Sequence, residues 1–243
     1  MDPAVLRDDM VDSLEHESKR CVESESISVA MREVPRHEFV EDERAAYADR
    51  AFERLGTRVL APSTVGRLFE LVDPKPDNSV LVVGAGVGYT AALAAEIVGG
   101  RNVHAVDITR KLVYEARANL SAAGYDEVLV DCLDGAGGLP QYAPYDRILV
   151  EAAAVRPPRA LIEQLSRGGT LVMPLGAQQQ TLAVVDSEGH VERHGSCVFA
   201  PLLIEGEQAG SVERNRTHRE DREHARRHAR RTRGWELDWI EWE

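Results

Sequence analysis

The chain has 243 residues, 43% of them hydrophobic, which suits one large domain with a sizeable core and excludes wholesale disorder. No apolar run approaches the roughly 20 residues that a membrane-spanning helix needs, so no membrane partner is expected. A net charge of −12 opposes phosphate, which argues against general nucleic-acid binding.

The basic residues are lopsided. Lys occurs only at Lys19, Lys75 and Lys111, so 26 of the 29 basic residues are Arg. An acidic surface almost without Lys predicts a halophilic protein, kept soluble in strong salt by its net charge. A GC-rich genome that favours Arg codons is the alternative. The opening Met1-Asp2-Pro3-Ala4-Val5 lacks the basic-then-apolar layout of a signal peptide and predicts a cytoplasmic protein. Cys21, Cys132 and Cys197 lie far apart with no metal-ligand spacing, and read as small reduced core residues. No metal site is expected.

In chain order, Val5, Leu6, Met10 and Leu14 fall at helical spacing, and a second helix is expected from Val22 to Glu33, ending before Pro35. Residues 1–78 form an N-terminal, mostly helical cap on the substrate side. Ser79 to Val83 is a short apolar run, as in a strand buried on both faces. A helix from Thr90 to Val98 follows, then a strand from Asn102 to Asp107 and a helix from Lys111 to Ala123. Glu127 to Val130 and Asp146 to Val150 read as strands. Pro158 to Leu165 reads as a helix closed by Gly168-Gly169, and Thr170 to Pro174 as a strand. Thr181 to Asp186 and Val191 to Val198 form a closing hairpin. Strands alternating with helices over 79–204 predict an α/β, doubly wound and mainly parallel sheet. Residues 205–243 form an Arg-rich, Trp-ended tail.

The chemistry gathers at the carboxyl ends of three expected strands. Gly84-Ala85-Gly86-Val87-Gly88-Tyr89 joins a strand to a helix, and its glycines let backbone turn tightly against a ligand. Its spacing is not that of a dinucleotide site, and it lacks the Lys-Ser/Thr of a phosphate-binding loop. Asp107, with Ile108 beside it, ends the next strand, where a carboxylate can accept both hydroxyls of an adenosine ribose. The simpler role for Asp107 is to cap the helix from Lys111. Asp134-Gly135 follows the third strand, where an acid can take the exocyclic amine of adenine; a plain turn is the alternative. Together they favour a nucleoside site, and S-adenosyl-L-methionine is the best-fitting ligand.

The sequence resembles the protein-L-isoaspartate (D-aspartate) O-methyltransferases, a family of class I, Rossmann-like methyltransferases, from about Val34 to Leu202. The resemblance rests on Val34-Pro35-Arg36-His37-Glu38-Phe39-Val40, Ala46-Tyr47-Ala48-Asp49-Arg50, the Gly-rich turn, Asp134-Gly135, Gly138-Leu139-Pro140, Tyr142-Ala143-Pro144-Tyr145-Asp146, Ala152-Ala153-Ala154 and Pro174-Leu175-Gly176. It implies S-adenosyl-L-methionine as cofactor. It also implies methyl transfer to the α-carboxylate of L-isoaspartyl residues in damaged proteins, which repairs them through a succinimide.

Three departures from the family pattern bear on the site. Where the family carries a segment like Gly-Gln-Thr-Ile-Ser-Gln-Pro, this chain has Gly56 to Pro62; Leu60, flanked by Val59 and Ala61, takes the serine's place, and Thr57 and Ala61 take those of the glutamines. Ser63 and Thr64 read as caps of the next helix. The acid usual two residues before the first glycine is Val82. Position 151, usually Thr or a small residue, is Glu151; it either replaces the lost charge, the preferred reading, or is a solvated loop residue. No catalytic residue is assigned. The alternative function is an inactive S-adenosyl-L-methionine-binding adaptor, or a methyltransferase for another carboxylate.

The tail balances nine Arg against eight acids over residues 211–243 and reads as a solvated helix. Trp235, Trp239 and Trp242 share one helical face, which docks on the parent domain or contacts a protein partner.

Overall fold

The computed structural model describes residues 2–42 and 45–203; the Arg- and Trp-rich tail lies outside them. Helix α1 (Pro3–Glu15) begins where the Asp2 carboxylate accepts the Ala4 N–H at 3.0 Å. It buries Met10, Val11 and Leu14, while Val5, grouped with them by spacing, faces solvent. Helix α2 is Glu25–Glu33, shorter than expected at its start. The reason is Glu70, whose carboxylate accepts the N–H groups of Glu23 and Ser24 at 2.7 and 2.8 Å and the Ser24 hydroxyl at 2.7 Å. Those contacts hold residues 23–24 extended and serve as the helix cap.

A hairpin that periodicity did not suggest follows: β1 (Phe52–Arg54) pairs antiparallel with β2 (Thr57–Val59). Its two-residue turn places Leu55 and Gly56 at φ +47° and +78°, the positive-φ pair that a tight hairpin requires. Helix α3 (Pro62–Val72) starts with Ala61 as its cap residue and Pro62 in its first turn. Ser63 and Thr64 do not cap it. The Asp49 carboxylate does, accepting the Ser63 N–H at 3.0 Å while pairing with Lys19.

The central sheet has seven strands in the order β5-β4-β3-β6-β7-β8-β9. These are β3 (Val80–Val83), β4 (Val103–Asp107), β5 (Leu129–Cys132), β6 (Tyr145–Val150), β7 (Leu165–Leu175), β8 (Gln180–Asp186) and β9 (Val191–Cys197). The first five are parallel, and β8 and β9 add the expected antiparallel hairpin. All four residues of β3 are buried, as its unbroken apolar run required of a central strand. Helix α4 (Tyr89–Val98) is apolar nearly all round because it lies between the sheet and α2; α5 (Arg110–Ala122) buries only one stripe.

The helix expected over Pro158 to Leu165 shrinks to α6 (Arg159–Ile162). Leu165 instead pairs with Tyr145, and Gly168-Gly169 lie inside β7 at a register slip before Arg147 meets Thr170. A Cβ on Gly169 would sit 2.8 Å from the Tyr145 carbonyl oxygen, so this glycine permits strand contact and does not end a helix.

The 142–146 segment holds the sheet together. Asp146 accepts the Ser79 N–H at 3.0 Å and the Ser166 hydroxyl at 2.7 Å, tying β6 to both neighbours at the sheet's amino end. Tyr145, fully buried, donates its hydroxyl to the Leu139 carbonyl at 3.0 Å. The N-terminal helices share one continuous core with the sheet face that carries Val80 and Val82.

Candidate active site

A cleft opens at the carboxyl ends of β3, β4 and β6, where ligands bind in open parallel sheets. It comprises two adjoining pockets, both open to solvent, that share Thr57, Gly84 and Glu151. Thr57 to Leu60 of the hairpin side, Val65, and Gly84 to Val87 with Tyr89 and Thr90 wall the first. Asp107 to Thr109, Leu112, Gly135, Ala152 and residues 200–203 wall the second.

The Gly-rich turn presents bare backbone to this space. Gly84, Gly86 and Gly88 all have positive φ, and the N–H groups of Gly84 and Ala85 donate to the Val106 carbonyl at 2.8 and 3.0 Å. Gly88 serves packing: a Cβ there would press to 3.3 Å on Ala116 and Leu120 of α5. Asp107 is buried and does more than either sequence reading allowed. One carboxylate oxygen accepts the Thr109 N–H at 2.7 Å, just ahead of α5, and the other accepts the Gly86 N–H at 3.0 Å, fixing the turn. These two contacts orient the Asp107 carboxylate at the wall of the cleft.

Asp134 stands beside the cleft and accepts the Ala136 N–H at 2.9 Å, so it does form the simple turn. Gly135 reaches the wall, where any side chain would overlap Val83. Ile108 and Leu112 supply apolar surface next to Asp107. Val59 and Leu60 also face the cleft, with Ala61 just beyond them.

Arg36 holds that edge in place. It is fully buried, donates to the carbonyls of Ala46 at 2.8 Å and Leu60 at 2.6 Å, and lies 4.6 Å over the Tyr89 ring. Burial lowers its pKa, but a guanidinium stays charged in a protein.

Glu151 is not a solvated loop residue. Its backbone N–H donates to the Val83 carbonyl at 2.8 Å, and its carboxyl lies in the floor common to both cavities. Burial and, secondarily, the charge of Asp107 push its pKa up to about 7, and Thr90 nearby opposes the rise.

The sequence profile of the protein-L-isoaspartate(D-aspartate) O-methyltransferase family matches residues 7–207. The chain belongs to this family. A protein-L-isoaspartate O-methyltransferase of Aeropyrum pernix is 45% identical over 195 residues, covering 76% of this chain and 75% of its own. One from Methanopyrus kandleri is 46% identical over 197 residues, with 76% and 86% covered. A solved protein-L-isoaspartate O-methyltransferase superposes with a TM-score of 0.72 at 25% identity, over 82% of this chain and 66% of that one. A Plasmodium falciparum protein described as such a methyltransferase and solved with S-adenosyl-L-homocysteine gives 0.73 at 18% identity, over 81% and 98%; it supports the fold.

Within the family frame, the cleft walls that sequence reasoning missed are Thr90, Thr109, Leu112 and residues 200–203. The last arrive by a long-range return: Ala153 donates to the Ala200 carbonyl, and Leu202 to the Ala153 carbonyl, both at 2.7 Å. No short motif announces such pairing. Thr90 and Leu112 did carry a signal, since each lies in the first turn of a helix that starts at the sheet's carboxyl edge.

Proposed function

We propose that the protein transfers a methyl group from S-adenosyl-L-methionine to the α-carboxylate of L-isoaspartyl residues in damaged proteins. Family membership over residues 7–207 carries this reading. The cleft supports it: a bare Gly84–Gly86 backbone, a buried carboxylate at Asp107, apolar walls at Ile108 and Leu112, and an opening toward Leu60. When bound, S-adenosyl-L-methionine supplies a methyl group on a positively charged sulfur.

Asp107 would hold the nucleoside hydroxyls, and Gly135, packed directly against Val83, would line the base's side of the cleft with Asp134 at its edge. Gly84, Ala85, Gly86 and Tyr89 line the amino-acid end of the ligand, and Gly88 fixes α4 behind them. A peptide α-carboxylate is ionised at neutral pH, its pKa being about 3.5, so no residue here has to remove a proton. The chain's task is to place the carboxylate, which can supply several kcal/mol of the barrier. Leu60 contributes no hydroxyl to that placement; its backbone, locked by Arg36, shapes the entrance.

We infer a cytoplasmic setting, supported by three cysteines that form no disulfide among the described residues. The test is transfer of labelled methyl to an isoaspartyl peptide beside its aspartyl twin in strong salt. A base-labile ester on the isoaspartyl peptide alone is expected. Cofactor binding with no transfer to either peptide would overturn the reading and point to an adaptor or another carboxylate substrate.

A further inference from the structure

Glu151 brings to the cleft a carboxylate oxygen that the fold leaves without a partner. β6 runs beside β3 with Val82 opposite Leu149 and Val83 opposite Val150. Alternate residues of a strand share a face, so Glu151 continues the face of Leu149, which is also that of Val82. The carboxylate therefore arises on the neighbouring strand, one pleat nearer the ligand end than the apolar Val82. Its Cβ lies 3.6 Å from where a side chain on Gly84 would begin, in ordinary contact range beside the Gly-rich turn.

Thr90, in the first turn of α4, stands near the carboxyl and favours its ionised form, while Oε1 is enclosed with no donor among the described residues. The ionisable groups that share its pockets are Asp107 at the end of β4, Tyr89 on α4 and Arg58 of β2; no ion pair reaches Glu151 among the described residues. An enclosed carboxylate oxygen without a donor is unfavourable until a cationic N–H arrives.

We propose that Glu151 receives the α-ammonium group at the amino-acid end of S-adenosyl-L-methionine and S-adenosyl-L-homocysteine, Oε1 accepting one of its N–H bonds. This rests on the reading that the cleft binds the cofactor. The ligand's chemistry selects that group: the sulfonium is positive but has no N–H, and the ribose hydroxyls donate but carry no charge. Only the ammonium offers both. Because Glu151 must be ionised to act, ligand affinity falls as pH drops through about 7, the value to which burial raises this carboxyl.

Calorimetric titration of the full chain separates the contributions. S-adenosyl-L-homocysteine carries the ammonium; 5′-methylthioadenosine keeps the nucleoside and thioether and lacks the amino-acid end. With Glu151→Gln at about pH 8.5, affinity for the first should fall roughly 10- to 100-fold, the loss of a charge-assisted hydrogen bond. Affinity for 5′-methylthioadenosine should not change, which also reports an intact fold. Wild-type affinity for S-adenosyl-L-homocysteine should weaken between about pH 8.5 and about pH 6, and that of the variant should not. A variant that binds S-adenosyl-L-homocysteine as tightly as wild type, or that loses both ligands in proportion, would overturn the assignment. Wild-type protein that binds neither ligand would overturn the cofactor reading and the assignment with it.

Discussion

Glu151 follows β6 in an enclosed place, and its ionisation weakens the ligand-free fold. Its carboxyl titrates near 7 in the folded chain and near 4.5 when unfolded, so the folded state holds the proton more tightly between those values. Stability therefore decreases as pH rises from about 4.5 to about 7, by on the order of 3 kcal/mol, and is level above that as far as this group is concerned. Urea unfolding of ligand-free protein should find Glu151→Gln more stable than wild type at about pH 8, with the difference vanishing near pH 4.5. A constant difference across that range would contradict the burial argument. Sequence reasoning reached Glu151 because it departs from an expected residue type at a strand end. It could not tell a pocket residue from a loop residue, because that depends on how β3 and β6 lie side by side. Asp107 caps the approach to α5 and also pins the Gly-rich turn, a double role that depends on the two elements lying side by side.

Among the elements, the parallel strands and their crossover helices were legible because apolar runs of four to six residues between helical stretches have few other uses. The β1–β2 hairpin was not, since three-residue strands are too short for periodicity. The contraction of the expected Pro158–Leu165 helix was hidden as well, because the competing partner of Leu165 is Tyr145, twenty residues away. The Val34–Val40 segment, a family signature in the sequence, has a mechanical role in the structure. Arg36 joins the Ala46 and Leu60 carbonyls across that segment. Arg36→Met would leave two buried carbonyls without donors, at about 1–3 kcal/mol each, and would loosen the edge that holds Leu60. The midpoint of denaturant unfolding should fall accordingly, and KM for an isoaspartyl peptide should rise more than kcat changes. Arg36→Lys should recover only part of either, since one ammonium does not reproduce a fork that reaches two carbonyls. Unchanged stability in Arg36→Met would remove Arg36 from this role.

At the scale of the molecule, one core joins the N-terminal helices to the sheet, and the cleft lies between the hairpin side and the sheet's carboxyl edge. A net charge of −12 repels itself at low ionic strength, and salt screens it. The thermal midpoint should therefore rise as potassium chloride increases from dilute buffer toward molar concentration; a maximum at low salt would contradict adaptation to salt.

Placement by the cleft, without a hydroxyl at position 60, should suffice for methyl transfer. The direct measurement is kcat/KM for an isoaspartyl peptide with wild type and with Leu60→Ser, side by side. Wild type should transfer methyl, and Leu60→Ser should raise the rate by no more than about 100-fold, the most that one orienting hydrogen bond supplies. No transfer by wild type, with transfer gained in Leu60→Ser, would contradict it.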